Sequence, residues 1–364
     1  MSETDPVGDT ILRTPEERFE NLPDFAFAPH FTDDLPGFPG VRVHYVDEAA
    51  ASEAVGEPDL ASDISDEAAA AAARWSRPTT ILCLHGHPTW SFLYRRMIPL
   101  MTGAGYRVVA PDLPGFGRSD KPTDEAPYSI EALRDAVIGF IEALDLRDLI
   151  VVGHDWGATL ALTLPMAMPE RVKGLVIMNC ALPTGDRRLP DGVIGWRTYN
   201  ANNLDLNVPG LMAKANRILT FGECRAYGAP FPDTSYKAAV RALPALISED
   251  VDAPSAELMR EARRYLTEDW EGASQLVVGL RDPVHGHSSM RTLHGQVRDC
   301  PEPIMLEHAG HFVPEWSDEF ADAAMRSIEA QIDEKRQAAI AETEAAADDD
   351  VAGPADASGD GASA

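Results

Sequence analysis

Short runs of β-branched and aliphatic residues alternate with helical patterns along this chain, and that alternation restricts the fold more than any other feature. The runs cover residues 41–47, 79–85, 106–111, 149–154, 174–179, 275–281 and 303–307, and most end at a polar residue or glycine. Residues 131–146 and 158–168 carry apolar side chains at three- and four-residue intervals, as a helix with one buried face does. Parallel strands need long crossover connections, and helices supply them. The expectation is an α/β fold: a mostly parallel central sheet with helices on both faces. Ligands of such sheets bind beyond the carboxyl ends of the strands. Residues directly after each run therefore carry the most weight.

The alternation stops between residues 183 and 269, where the pattern is helical and loop-like, with several Pro and aromatic residues. A helical cap inserted between two core strands accounts for this. It would lie over the strand ends as the lid of a pocket, leaving 1–182 and 270–338 as the core. Residues 49–73 and 339–364 are rich in Ala, Asp, Glu and Ser and poor in large apolar residues. Such segments bury too little apolar area to offset the entropy of ordering. The first is expected to be an acidic surface insertion, the second a helix end fading into a disordered acidic tail.

Charge narrows the partners. Asp and Glu number 59 against 31 Lys and Arg in 364 residues, a net charge of -28. Nucleic acids and anionic membranes reward a positive surface, so neither is expected as a partner. A solvated acidic surface suits concentrated salt, which screens its self-repulsion, and points to a halophile. Cys83, Cys180, Cys224 and Cys300 have no spacing of a disulfide framework or metal knuckle. Cys83 lies inside an apolar run and Cys180 directly after one. Residues 1–14 are polar and acidic, with no signal-peptide stretch, and no run of about 18 apolar residues exists. A cytoplasmic location is the expectation.

The chemistry concentrates at Gly153-His154-Asp155-Trp156-Gly157, between the run 149–152 and the helix that follows. This is the nucleophile elbow, small-x-nucleophile-x-small on a tight strand-to-helix turn, with Asp in place of Ser. A bare helix cap would need none of the flanking glycines. A carboxylate is charged at neutral pH and needs no base to activate it. It can displace a leaving group from saturated carbon and form an alkyl ester, but hydrolysing that ester needs a base. His311, after the last apolar run, is the candidate, with His308 as its rival. The acid orienting it would be Asp282, directly after 275–281; the other usual position holds uncharged Asn179. The loop His85-Gly86-His87-Pro88 should supply one oxyanion-hole N–H from His87, with a second from Trp156. Trp156 also offers an indole N–H donor to a departing halide. A metal site from the HGHP histidines with His285, His287 and His294 lacks HExxH or CxxC spacing, so neither metal nor cofactor is implied.

The segments 85–95 (HGHPTWSFLYR), 110–122 (APDLPGFGRSDKP), the Asp155-Trp156 elbow and 229–236 (APFPDTSY) resemble haloalkane dehalogenases over about residues 14–329. The likeness is greatest to the branch typified by the Xanthobacter dichloroethane dehalogenase. That resemblance implies the α/β-hydrolase fold, Asp282 as the acid, and Trp196 as a second halide-holding group beside Trp156. It implies a small apolar halogenated substrate, water as co-substrate, and a monomer or small homo-oligomer. The sequence departs from the family pattern at His87, where an acidic residue is expected, at Ala158, and at Val193 in place of an aromatic wall. An epoxide hydrolase shares the elbow and the HGxP loop, but needs lid tyrosines, for which Tyr199, Tyr227 and Tyr236 are available. A haloacid dehalogenase would want arginines where Trp156 and Thr159 stand. A non-catalytic binding protein of this fold would have no need of Asp155, His311 and Asp282 together.

Overall fold

The computed structural model describes residues 11–51, 64–247 and 249–351. An eight-stranded sheet forms the centre: β1 (His30–Thr32), β2 (Val43–Glu48), β3 (Thr80–Leu84), β4 (Arg107–Pro111), β5 (Leu149–His154), β6 (Val172–Met178), β7 (Ala273–Gly279) and β8 (Ile304–Leu306). Their spatial order is β8-β7-β6-β5-β3-β4-β2-β1. All neighbours from β8 to β4 are parallel, and β2 runs antiparallel to β4 and to β1. Strands β3, β5, β6 and β7 are buried along their whole length. Helices on both faces cover them, and this is why they read as unbroken apolar runs rather than alternating ones.

Each predicted run became a strand, with no end shifted by more than two residues. The edge strand β1 was not anticipated, because three half-buried residues leave no periodic signal. The helices are α1 (Asp66–Ala73), α2 (Met97–Gly103), α3 (Ile130–Ala143), α4 (Trp156–Ala161), α5 (Leu164–Ala167), α6 (Asp191–Ala201), α7 (Val208–Ala215), α8 (Phe221–Tyr227), α9 (Ala238–Leu246), α10 (Pro254–Glu268), α11 (His287–His294) and α12 (Ser317–Val351). Residues 158–168 are not one helix. Pro165 falls in the first turn of α5 and has no N–H to continue the preceding ladder, so α4 and α5 are separate. Helices α6 to α10 all lie between β6 and β7 in the chain.

One expectation of disorder needs correction. The insertion 49–73 contains α1, whose start is capped by the Ser65 side chain accepting from the Ala68 N–H. The segment 339–364 starts as a helix end, the last part of α12, which continues to Val351. Ala68 and Ala72 of α1 bury against Ile340 of α12, with Ile64 alongside. Neither segment has a core of its own, but alanine permits close helix approach, so the two cover each other. Residues 52–63 and 352–364, the rest of those expectations, lie outside the described residues. Among the described residues no helix is long and apolar enough to cross a membrane.

Candidate active site

Strand β5 ends at His154, and the chain turns through Asp155 into α4. Asp155 has φ 52° and ψ -119°, a conformation costing a non-glycine residue about 1–3 kcal/mol. Its N–H donates to the Met178 carbonyl at 3.2 Å and its carbonyl accepts from the Thr159 N–H at 3.0 Å. The turn also demands Gly157: a Cβ there would lie 2.0 Å from the Leu84 carbonyl oxygen. Gly86 is equally constrained, because its Cβ would fall 2.5 Å from the Cβ of Asp155. The strand-to-helix turn and the HGxP loop are thus in contact, and the His87 N–H donates to Asp155 Oδ1 at 2.9 Å. No hydrogen bond from the Trp156 N–H to this carboxylate accompanies it among the described contacts.

The other carboxylate oxygen, Oδ2, faces two imidazoles. His311 Nε2 is 3.4 Å away and His285 Nε2 is 3.9 Å away. On its far side His311 Nδ1 lies 2.8 Å from Asp282 Oδ2. Asp282 is anchored: its Oδ2 accepts from Asn179 Nδ2 at 2.7 Å and its Oδ1 from the Val284 N–H at 2.7 Å. His311 is thus flanked by two buried carboxylates. Burial alone would favour neutral imidazole, but the charge of Asp282 and contact with Asp155 outweigh it and raise His311 to about 10. Burial would also raise both acids; the facing His311 reverses this, holding Asp282 at about 2 and Asp155 well below the usual carboxylate range. His308 is exposed and its Nδ1 accepts from Arg281, away from Asp155, so the structure brings His311 and not His308 to the nucleophile.

Asp155 borders two cavities of about 300 Å³ each. Trp156, Thr159, Val193 and His285 line the first, together with apolar Leu182, Leu189, Ile247 and Leu293. Trp196, His87, His311 and Phe312 line the second. The two tryptophans therefore meet different cavities that share Asp155. Trp196 packs edge-on against the His87 ring, 5.7 Å between centroids, and stacks on Tyr199. His87 itself is buried, and desolvation lowers its imidazole to about 4. Neutral at pH 7, it bonds through Nε2 to the Val240 carbonyl of α9 at 2.8 Å. The departure from an acidic residue thus leaves a neutral tie between the HGxP loop and the helices above.

Three participants were missed or misjudged from sequence. His285 was weighed only as a metal ligand. Asn179 was weighed only as an alternative acid, yet it holds Asp282. His154, inside the elbow, bonds through Nε2 to the His311 carbonyl at 2.8 Å, and burial lowers it to about 3. Only a position next to the nucleophile could have flagged His154. Nothing in the spacing marks His285. The tyrosines considered for an epoxide hydrolase lie elsewhere. Tyr199 is exposed, Tyr227 is buried with its hydroxyl on Glu315, and neither cavity at Asp155 is lined by a tyrosine.

The family described as the alpha/beta hydrolase fold matches residues 79–318. A haloalkane dehalogenase of Mycolicibacterium paratuberculosis is 35% identical over 314 residues, covering 84% of this chain and 93% of that protein. The chain belongs to the haloalkane dehalogenases. Another member, from Psychrobacter cryohalolentis, is 37% identical over 256 residues, 69% of this chain and 76% of that one. Among solved structures, the haloalkane dehalogenase DpaA of Paraglaciecola agarilytica, described as tetrameric, superposes with a TM-score of 0.77. It has 38% identity over 87% of this chain and 98% of that chain. The elbow, the HGxP loop and strands β3 to β8 all fall inside the matched span.

Proposed function

We propose that this protein hydrolyses the carbon–halogen bond of small apolar haloalkanes, giving an alcohol, halide and a proton. One observation carries the reading. Asp155 is a buried carboxylate held ionised, with one oxygen bound by a backbone N–H and the other facing an imidazole–carboxylate pair at the edge of a largely apolar cavity.

Asp155 Oδ2 attacks the halogen-bearing carbon; a C–O bond forms as the carbon–halogen bond breaks. Indole N–H groups of Trp156 and Trp196 receive the halide. The alkyl ester then carries no charge, so His311 loses one of its two anionic neighbours. Its affinity for a proton falls, it releases that proton, and it becomes the base for the second step. His311 takes a proton from water, and the resulting hydroxide adds to the Asp155 carbonyl carbon. Oδ1 carries the developing negative charge against the N–H groups of His87 and Trp156. As the adduct collapses, His311 gives its proton to the departing oxygen, the former Oδ2, to free the alcohol, and then takes the proton of the new carboxyl group, which restores the carboxylate–imidazolium pair. Asp282 orients His311 and stabilises its positive charge. No cofactor takes part. Helices α6 to α10 act as a cap, placing Val193 and Trp196 over the nucleophile.

The test is bromide release from 1-bromobutane in high salt, with styrene oxide offered in parallel, to wild type and Asp155→Asn. Bromide release by wild type and its loss in the variant are expected. Opening of styrene oxide without bromide release would establish an epoxide hydrolase instead. The likeness to DpaA supports a small homo-oligomer, which light scattering would check against a monomer. The free cysteines among the described residues support a reducing, cytoplasmic location.

A further inference from the structure

His285 has no part in the reaction above, yet it stands beside the nucleophile. It follows Asp282 by three residues, on a turn pinned by the Val284 N–H donating to Asp282 Oδ1. The loop that fixes the catalytic acid therefore also fixes this imidazole. His285 is buried, its Nδ1 has no hydrogen-bond partner, and its Nε2 is 3.9 Å from Asp155 Oδ2. That distance is too long for a hydrogen bond. The ring is kept neutral, since burial lowers its basicity more than Asp155 and Asp282 restore it. In a neutral ring the negative charge of Asp155 favours the tautomer with the proton on Nε2, the nitrogen that faces it. The first cavity thus contains an N–H donor with no protein acceptor, in a wall where Leu182, Leu189, Val193, Ile247 and Leu293 alternate with polar residues such as Thr159 and Gln296. An unengaged polar group in such a place is unfavourable unless a ligand engages it.

The attacked carbon must stand about 3–3.5 Å from Oδ2. An oxygen two bonds from that carbon comes within reach of an imidazole on the same side of Oδ2. We propose that His285 is a specificity-determining residue that donates a hydrogen bond from Nε2 to a substrate oxygen. The substrate class this cavity selects is then β-oxygenated haloalkanes, the haloethers and vicinal halohydrins, over plain haloalkanes. The inference rests on the dehalogenase reading and names the substrates of that same site.

Two isosteric probes test it: 1-bromobutane and 2-bromoethyl methyl ether, which differ by one methylene replaced with oxygen. The readout is the ratio of kcat/KM for ether over alkane, measured by bromide release. Dividing the wild-type ratio by the variant ratio cancels the probes' intrinsic reactivities. His285→Leu should lower the ratio about tenfold, the upper range for one neutral hydrogen bond. His285→Gln, which keeps an N–H donor, should retain most of it. If the Leu protein fails to fold, His285→Met removes the donor at similar volume and carries the same reading. Ratios within twofold of wild type in a folded donor-less variant would overturn the assignment alone. Bromide release from neither probe by wild type would overturn the dehalogenase reading together with it.

Discussion

Replacing Asp282 by Asn should divide the reaction in two. The displacement at Asp155 needs no base, whereas hydrolysis of the ester needs His311 to accept a proton while held by Asp282. The carboxylate lies 2.8 Å from His311 Nδ1 and its side chain is fully buried. With charge centres about 4 Å apart and an effective dielectric of about 20, it stabilises the imidazolium by about 4 kcal/mol. Losing that stabilisation slows ester hydrolysis about 10³-fold. Rapid-quench kinetics should then show a burst of one bromide per site followed by slow turnover. Mass spectrometry should find the alkyl group on the peptide containing Asp155. Adding Asn179→Asp to this variant should recover part of the rate, because Asn179 Nδ2 is 2.7 Å from the Asp282 oxygen that meets His311, so a carboxylate there returns a negative charge near the imidazolium. A folded Asp282→Asn protein without a burst, or one turning over within tenfold of wild type, would refute the reasoning.

Other expectations concern stability. Arg95 bonds Glu315 at 2.6 Å and Glu223 at 2.5 Å, all three buried; Arg95→Met leaves Glu223 with Arg96 at 2.7 Å but takes from Glu315 its nearest cation, and should lower the unfolding free energy in urea by about 3 kcal/mol. Because His311 is raised, its imidazolium stabilises the fold fully below pH 6.5 and loses that contribution as pH rises through about 10. The stability gap between wild type and His311→Phe, followed by denaturant titration, should accordingly narrow from pH 6.5 to 10; a constant gap would contradict the ion-pair account. Ile340→Asp removes the apolar contact that α1 makes on α12. Limited proteolysis within 49–73 should accelerate, while bromide release stays at the wild-type rate.

Much of this protein was legible in order along the chain. Strand β5, the Gly-His-Asp-Trp-Gly turn and α4 are local: a buried apolar run, glycines at close approaches and a helix start all sit within a dozen residues. The same holds for the HGxP loop after β3 and for Asp282 after β7. Their meeting follows from the parallel sheet, which gathers strand ends at one edge whatever the loops between contain. Trp196 was reachable only through family resemblance, since a tryptophan in an irregular helical stretch has no period to mark it.

The tertiary structure decided what depends on partners distant in sequence. His285 and His311 are 26 positions apart, and only folding sets both imidazoles against one carboxylate oxygen. Asn179 looked like an empty acid position until its amide proved to hold Asp282. His87 looked like a change of charge, yet burial under α9 leaves it neutral. Helix α1 read as unstructured because it lacks an apolar core of its own, and its buried alanines find their partner in Ile340, more than 260 positions away. Protonation and burial are properties of the assembled surroundings. A residue type fixes which proton can move; the neighbours that folding supplies fix whether it does.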